Sequence, residues 1–348
     1  MGGSGPKRVS SKAIDVVGVG INATDTIIRL PHFPALDSKV EIISSEMMPG
    51  GQVASAIVAC RRWGLRVRYV GKIGEDAAAQ LQMDEMENEE VEARWITAPG
   101  CESQSSYILV DESSGERTVL WKRDSRIALR PKDLKREWIW DARILLIDGH
   151  DTEASATAAR WAKQERLEVV GDFDNRYPGV EAVLEFTDFP ITSKDFPERL
   201  TGEKDLLKSL PAIFRRFKCR LMAATLGRLG VLAWDGARFL LCPGFRVDAV
   251  DTTGAGDIFH GAFVFGLART EPIEEILEFA CAAAALNCMA PGARGNIAPL
   301  EEIEELRRKG ERSELAYSPT QLNDATRAAL TAVSAHGSGF GAGSGGNE

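Results

Sequence analysis

Residues 251–257 read DTTGAGD and come directly before the apolar run 258–267, so small residues and acids stand at a predicted helix start. The small residues leave room for a phosphate to approach backbone N–H groups, and the positive end of the helix lies at the same place. They are Gly254, Ala255 and Gly256. Asp257 falls in the first helical turn, where a carboxylate can take a proton from a hydroxyl while the amides hold phosphate charge. The pattern therefore predicts phosphoryl transfer to an alcohol.

A purely structural interpretation is also open, in which a glycine turn precedes a helix and Asp257 stabilises the positive helix end. The whole string, however, resembles the signature of the PfkB (ribokinase-like) family of carbohydrate kinases, DTxGAGD, and the match continues with FHGA at 259–262. The resemblance implies that Asp257 is the general base and that the amides of Gly254–Asp257 form an anion hole. Two alternatives remain: a nucleoside or vitamin kinase of the same superfold, and a catalytically silent regulator that binds a sugar or a nucleotide.

Length and composition limit the class of protein. The chain has 348 residues, of which 44% are hydrophobic, so it can form one large α/β domain or two smaller ones. Its net charge of −9 argues against a nucleic-acid surface, which needs clustered Lys and Arg. Its 6 cysteines include no C-x-x-C pair, which argues against a zinc site or a disulfide framework. No secretory signal and no bilayer-length apolar run are present, so we expect a cytoplasmic protein with no membrane partner.

Strands and helices alternate along most of the chain. We predict strands at 13–19, 67–73, 143–148, 167–172 and 219–225, and helices at 51–63, 152–165, 204–217 and 299–308. This alternation predicts a mainly parallel sheet covered by helices, with ligands at the carboxyl ends of the strands. The family resemblance implies the ribokinase-like three-layer α/β/α fold with a small β lid.

Two segments, 39–47 and 104–122, instead alternate apolar and polar residues, and the second folds back at 113–115 like a hairpin. They predict a small antiparallel sheet, which is either an edge extension of the main sheet or a separate unit. By resemblance we favour a lid over the sugar, formed by about 37–50 and 102–125. Such lids often pair across a homodimer, which is the assembly that the resemblance implies.

One kinase domain is expected at 13–310. It follows a flexible N-terminus at 1–12 and precedes a C-terminal tail at 311–348. From about residue 336 this tail is too rich in Gly and Ser to pack a core, so we expect it to be largely flexible there.

The residues after the first strand fit a dinucleotide fingerprint, G-x-G-x-x-A at 18–23, but Pro31 and Pro34 follow too closely for the helix that such a site needs. The resemblance instead implies a sugar site. Its implied members are Asp25, Gly50, Gly51, Ser55 and Lys39. A carboxylate such as Asp25 can accept from two adjacent hydroxyls. Ser55 stands where many members carry asparagine, and Lys39 would suit an anionic substrate.

A T-x-G-x-x-G turn at 225–230 resembles the family's nucleotide contact, and no Walker motif is present, so ATP is the expected co-substrate. The implied nucleotide contacts are Ser193, Thr225, Gly227, Gly230, Thr253, Gly254 and Gly256. Ser193 and Phe196 replace the Asn and Glu of the family's N-x-x-E, which helps to order Mg²⁺ through water. Asp172 and Asp174 are candidate substitutes in that outer shell.

A monovalent cation such as K⁺ is a further expectation, at Asp251 and nearby carbonyls. The runs 245–262, 103–106 and 291–294 look most similar to the bacterial branch of the family that includes sulfofructose kinase. The substrate itself is left open between sugars and sugar derivatives.

Overall fold

The computed structural model describes residues 12–113 and 117–337. The flexibility predicted for the N-terminus falls on 1–12, almost all of it outside the described residues, and the Gly- and Ser-rich end at 338–348 lies outside them as well. No helix in the described part of the chain is long and apolar enough to span a membrane.

Strands in the described residues form two separate sheets. The strands are β1 (Ile14–Val19), β2 (Ala23–Leu30), β3 (Ser44–Gly50), β4 (Val67–Ile73), β5 (Glu92–Thr97), β6 (Ser105–Asp111), β7 (Arg117–Lys122), β8 (Ala142–Asp148), β9 (Glu168–Phe173), β10 (Phe189–Ser193), β11 (Met222–Thr225), β12 (Val231–Trp234) and β13 (Phe239–Cys242). A 9-stranded sheet has the order β13-β12-β11-β10-β9-β8-β1-β4-β5. It is parallel except at β12 and β13, which pair antiparallel at one edge. The prediction of a mainly parallel central sheet is confirmed.

Helices cover both faces of this sheet. They are α1 (Gln52–Arg62), α2 (Ala77–Asn88), α3 (Thr152–Gln164), α4 (Val180–Leu184), α5 (Phe196–Thr201), α6 (Leu206–Phe217), α7 (Ala255–Ala268), α8 (Ile273–Asn287), α9 (Leu300–Lys309) and α10 (Pro319–Gly337). Since neighbouring strand residues point to opposite faces, Val16 packs with α1, α7 and α8, whereas Val17 packs with α3 and α6. The result is the three-layer α/β/α fold. α7 is buried along most of its length, as its apolar sequence requires.

A second sheet of 4 strands, which we call the lid sheet, has the order β3-β2-β6-β7. β2 pairs antiparallel with β3 and parallel with β6, and β6 pairs antiparallel with β7. The antiparallel pairing predicted for 104–122 is confirmed, whereas most of the turn predicted at 113–115 lies outside the described residues. The alternative of an edge extension of the main sheet is wrong, because these strands form a separate sheet. Three details differ from the sequence prediction: β3 begins only at Ser44, β2 is one of the two central strands, and β2 pairs parallel with β6, so the lid sheet is not purely antiparallel.

The helix α10 was not predicted. It packs beside α6 and β13, and Ala329 is buried there with Leu322 and Ala325 partly covered. Much of the segment after residue 310 is therefore a helix that packs on the central α/β fold.

Candidate active site

The candidate site lies where the carboxyl ends of the parallel strands meet the N-termini of α1 and α7. Each of these helices begins at a glycine with positive φ, Gly51 at 96° and Gly254 at 74°. A Cβ at Gly254 would lie 2.1 Å from the carbonyl oxygen of Ala293, so a larger residue is excluded by both conformation and space. The sequence prediction that a glycine turn begins a helix at this point is confirmed.

The first turn of α7 faces open space. A Cβ built at Gly256 would have no atom within 4 Å, and this glycine is exposed. The N–H of Ala255 closes the turn on Thr252 O at 3.3 Å. The arrangement presents the positive end of a buried helix to open space, which suits an anionic group.

Asp257 lies in this same first turn and keeps part of its surface accessible. Burial raises the pKa of Asp257 to about 7, and the neighbouring carboxyl groups of Asp172, Asp25 and Asp174 contribute in the same direction. A carboxylate with a pKa near neutrality is suited to accept and return a proton at physiological pH.

Asp25 and the two glycines at 50 and 51 come together, as the resemblance implies. Asp25 is buried on β2 and accepts a hydrogen bond from the Ser106 hydroxyl. A Cβ at Gly50 would lie 2.4 Å from Asp25 Oδ2, so the carboxylate occupies the space that a side chain would need. Burial raises the pKa of Asp25, although the Ser106 hydrogen bond opposes the rise.

Ser55 is fully buried on α1, where its hydroxyl accepts from Arg294 Nε at 3.3 Å. The Arg294 guanidinium also contacts Gly50 O at 3.4 Å and Glu85 Oε1 at 3.4 Å. Burial lowers the pKa of Arg294, while Glu85 acts in the opposite direction. Arg294 was not among the predicted site residues, since in sequence it is one charged residue in a run of small ones. The Arg294 guanidinium donates a hydrogen bond to the Ser55 hydroxyl, which therefore points toward Arg294.

The predicted nucleotide turn joins β11 to β12, and β10 lies on the other side of β11. Ser193 and Thr225 are paired at the carboxyl ends of β10 and β11, and each hydroxyl is bonded to a backbone carbonyl, Asp174 O and Thr192 O respectively. Gly227 has a φ of 60° with no atom within 4 Å of a Cβ, whereas a Cβ at Gly230 would lie 2.0 Å from Cys242 O. Gly227 therefore borders open space, and Gly230 is required by packing.

Two predicted positions show no ligand-binding geometry of their own. Lys39 is exposed between β2 and β3 and makes no hydrogen bond to the acids of the site within the described residues. The Thr253 hydroxyl donates to Asp251 Oδ1 at 2.7 Å, so it orders the signature itself.

Few of the described residues at the site are suited to surround a magnesium ion. Asp172 is buried and lies 3.3 Å from His260 Nδ1, and burial raises the pKa of Asp172 well above its usual value. Phe196 is in the core, stacked on Phe173 with ring centroids 5.6 Å apart. Within the described residues no group of three or more His, Cys, Asp or Glu could hold a metal ion. These residues fit a Mg²⁺ that is held mainly by phosphate oxygens and water.

Known proteins share the sequence pattern and the fold of this chain. Residues 13–299 match the family described as pfkB family carbohydrate kinase. The ribokinase of Bacillus subtilis (strain 168) is 25% identical over 290 residues, which cover 83% of this chain and 97% of the relative. The ribokinase structure from Thermotoga maritima superposes with a TM-score of 0.76 at 24% identity, covering 85% of this chain and 100% of that one.

The structure of Arabidopsis thaliana ribokinase complexed with ribose and ATP has a TM-score of 0.72 at 20% identity, covering 85% of this chain and 99% of that one. The similarity extends over almost the whole length of each of these proteins. The chain therefore belongs to the pfkB family of carbohydrate kinases, phosphotransferases with an alcohol group as acceptor.

Proposed function

We propose that this protein transfers the terminal phosphoryl group of ATP to a hydroxymethyl group of a sugar or sugar derivative. The observation that carries the proposal is the position of Asp257, a carboxylate with a pKa of about 7 in the first turn of α7, beside the open space at Gly256. Asp257 takes the proton of the attacking hydroxyl, and the amides of Gly254–Asp257 stabilise charge on the phosphoryl group.

The sugar is positioned by Asp25 and the glycine pair at 50 and 51. Asp25 retains lone pairs for adjacent hydroxyls after it accepts from Ser106, and Gly50 lets the backbone approach closely. Mg²⁺, when bound with ATP, supplies positive charge to the phosphates. Among the acids near Asp257, Asp174 has a side chain that is 44% exposed, so it is our candidate for contact with the water around that ion.

The charges near the cleft favour a neutral sugar. Two of the cations that could attract an anionic substrate have protein partners, since Lys122 pairs with Glu102 and Arg123 Nη2 lies 2.6 Å from Asp151 Oδ2, and Lys39 is exposed between β2 and β3. Arg294 is likewise compensated by Glu85. We therefore place an uncharged sugar ahead of a sulfonated or phosphorylated one, and similarity to the sulfofructose-kinase-like branch stays a prediction.

We also propose a homodimer through the lid sheet. β7 is an edge strand whose six residues are all exposed. Three large apolar side chains on it are exposed by 48–68%: Val119, Leu120 and Trp121. An exposed apolar edge strand favours pairing with another chain. Light scattering on the wild type and a β7 variant, Leu120→Lys, tests this: a dimer that becomes a monomer supports it, and a wild-type monomer contradicts it.

The decisive experiment is an ATP-to-ADP assay over neutral sugars, keto-sugars, sugar phosphates, sugar acids and nucleosides. We expect turnover with at least one neutral sugar and a loss of about 10²–10⁴-fold in kcat for Asp257→Asn, with little change in ATP affinity. Asp195→Asn, at an exposed carboxylate before α5, is the matched control.

Nucleosides as the best substrates would favour the nucleoside-kinase alternative. Tight binding of a sugar without turnover would favour the silent regulator. An Asp257→Asn enzyme with wild-type kcat would show that another group is the base.

A further inference from the structure

One ion pair joins the lid sheet to the signature at 251–257. Arg117, the first residue of β7, places Nη1 at 3.1 Å from Asp251 Oδ1 and also donates to the hydroxyl of Thr252. The Asp251 side chain is 7% exposed and that of Arg117 is 34% exposed. The lid thus contributes a positive charge to a nearly buried carboxylate that lies three residues before Gly254.

Asp251 in turn organises the backbone around the start of α7. Its Oδ1 accepts from Thr253 N at 2.8 Å and from Thr253 Oγ1 at 2.7 Å, and its Oδ2 accepts from Gly292 N at 2.9 Å. Gly292 is followed by Ala293, whose carbonyl oxygen lies against Gly254. One carboxylate therefore fixes both segments that enclose the turn at Gly254.

Both oxygens of Asp251 accept from protein donors. Three donors contact Oδ1, namely Thr253 N, Thr253 Oγ1 and Arg117 Nη1, and Gly292 N donates to Oδ2. Although burial raises the pKa of Asp251, the hydrogen bonds from Gly292 and Thr253 and the charge of Arg117 hold it below its usual value. Asp251 therefore stays ionised and already has its compensating cation.

The Arg117–Asp251 contact crosses a gap between the lid sheet and the segment that begins the signature. A cavity of about 110 Å³ separates the lid sheet from residues 249–252, and its lining includes Arg29 and Arg117. Arg29 Nη1 pairs with Glu112 of the lid segment at 3.2 Å, whereas Arg117 reaches across to Asp251. Of these two arginines, Arg117 is the one that ties the lid to the signature.

We propose that Arg117 is a positioning residue for phosphoryl transfer. It aligns the amides at Gly254–Asp257 through Asp251 when the lid is docked, and its guanidinium takes the place of a monovalent cation at Asp251. This inference rests on the proposed kinase function, and it has consequences for ATP binding and unfolding that can be measured without turnover.

The first test compares Arg117→Gln with Arg117→Lys and with the control Arg29→Gln. We expect Arg117→Gln to lower kcat by about 10–100-fold, because preorganised donors at a transition state are worth that much or more. Its KM for the sugar should change by less than about 3-fold. Arg117→Lys should recover a large part of kcat, and Arg29→Gln should stay within about 2-fold of wild type. Wild-type kcat in Arg117→Gln, or equal losses in Arg117→Gln and Arg29→Gln, would overturn the proposal.

The second test is a double-mutant cycle of Arg117→Gln with Asp251→Asn, measured on ATP affinity by calorimetry and on the urea unfolding midpoint. We expect Arg117→Gln to weaken ATP binding by about 5–10-fold alone and by much less in the Asp251→Asn background. Additive effects would overturn the proposal. If the wild type phosphorylates no sugar, the proposed function fails, while this cycle still decides whether Arg117 acts through Asp251.

The third test varies the salt. Wild-type kcat should be equal within about 2-fold in K⁺, Na⁺ and choline, because Arg117 already supplies the positive charge beside Asp251. Millimolar guanidinium should restore part of the activity of Arg117→Gln. A strong requirement of the wild type for K⁺ would overturn the role of Arg117 as the resident cation.

Discussion

His260 Nδ1 lies 3.3 Å from Asp172 Oδ2 in the layer that supports the first turn of α7. The same nitrogen is 2.7 Å from Gly256 O, and Nε2 is 3.2 Å from Ile191 O. Three acceptor oxygens therefore surround a ring that has one N–H when neutral. Burial raises the pKa of Asp172 and lowers that of His260, which favours a proton on Asp172. The shortest contact of the ring, Nδ1 to Gly256 O, needs a proton between two acceptors, so Nδ1–H donates to Gly256 O and the neutral Asp172 carboxyl lies beside it.

The first prediction follows from this pair. Asp172→Asn keeps the size and polarity of a neutral carboxyl, so its free energy of unfolding should stay within about 0.5 kcal/mol of wild type, whereas Asp172→Leu should cost about 1–3 kcal/mol. Urea unfolding of both variants measures the difference. The Mg²⁺ dependence of kcat should be unchanged in Asp172→Asn. A raised Mg²⁺ requirement in that variant would instead support the expectation that Asp172 belongs to the outer magnesium shell.

The second prediction concerns pH. Because the pKa of Asp257 is about 7, kcat/KM should rise with pH through about 7 and level off above it, as the base loses its proton. Stability should change in the opposite direction. The folded protein binds this proton more tightly than the unfolded chain, whose carboxyl has the ordinary pKa of 3.8, so the free energy of unfolding falls between about pH 4 and pH 7.

Asp257→Asn removes that titration. Its stability should match wild type near pH 4 and exceed it at pH 8 by about 1–2 kcal/mol, less than the full shift would give because the side chain is partly accessible. Thermal or urea unfolding at both pH values measures the difference. A variant that is less stable than wild type at pH 8 would show that Asp257 is ionised and favourably paired in the fold.

The third prediction separates the two substrates. Asp25→Asn should raise the KM for the sugar by about 10–100-fold, since hydrogen bonds to a charged group are worth about 1.5–3 kcal/mol each. The KM for ATP should stay within about 2-fold, because the nucleotide turn lies on β11 and β12, away from the lid sheet. Ser106→Ala leaves the carboxylate in place and should have a smaller effect. Equal increases in both KM values would contradict a sugar-specific role for Asp25.

Parts of the site that lie close in sequence could be predicted from the sequence. The turn at Gly254 and the proposed base Asp257 belong to one seven-residue stretch, and the glycine of the turn follows from local backbone requirements. The pairing of Asp25 with Gly50 came from the family resemblance alone. Its physical reason, a carboxylate in the space of a missing side chain, is visible only in the fold.

Contacts between distant segments carried no local signal. Arg117 and Asp251 are 134 residues apart, and Arg294 and Ser55 are 239 apart, so neither periodicity nor spacing could connect them. α10 is a different case, because a signal was present. Ser318 Oγ accepts from Gln321 N, and Gln321 Oε1 accepts from Ser318 N, which is a capping box of the S-x-x-Q type. Its proline at the first helical position pointed the same way.

The last prediction concerns Gly256, where the effects on stability and activity should separate. A Cβ there meets no atom within 4 Å, and the residue is helical, so Gly256→Ala should raise the free energy of unfolding by about 0.5–1 kcal/mol. The added methyl group occupies the space through which a phosphate must approach the amides. The specificity constant for ATP should therefore fall by about 10-fold or more.

Gly254→Ala is the matched control, because it adds the same methyl group two residues earlier in the chain. At a φ of 74°, with Ala293 O at 2.1 Å from the new Cβ, it should destabilise the protein by at least about 1–2 kcal/mol. Urea unfolding measures the free energy of unfolding of both variants, and steady-state kinetics measure their specificity constants for ATP. If Gly256→Ala kept wild-type ATP kinetics, the phosphate would have to approach α7 from another side, and the anion hole would need to be assigned to different amides.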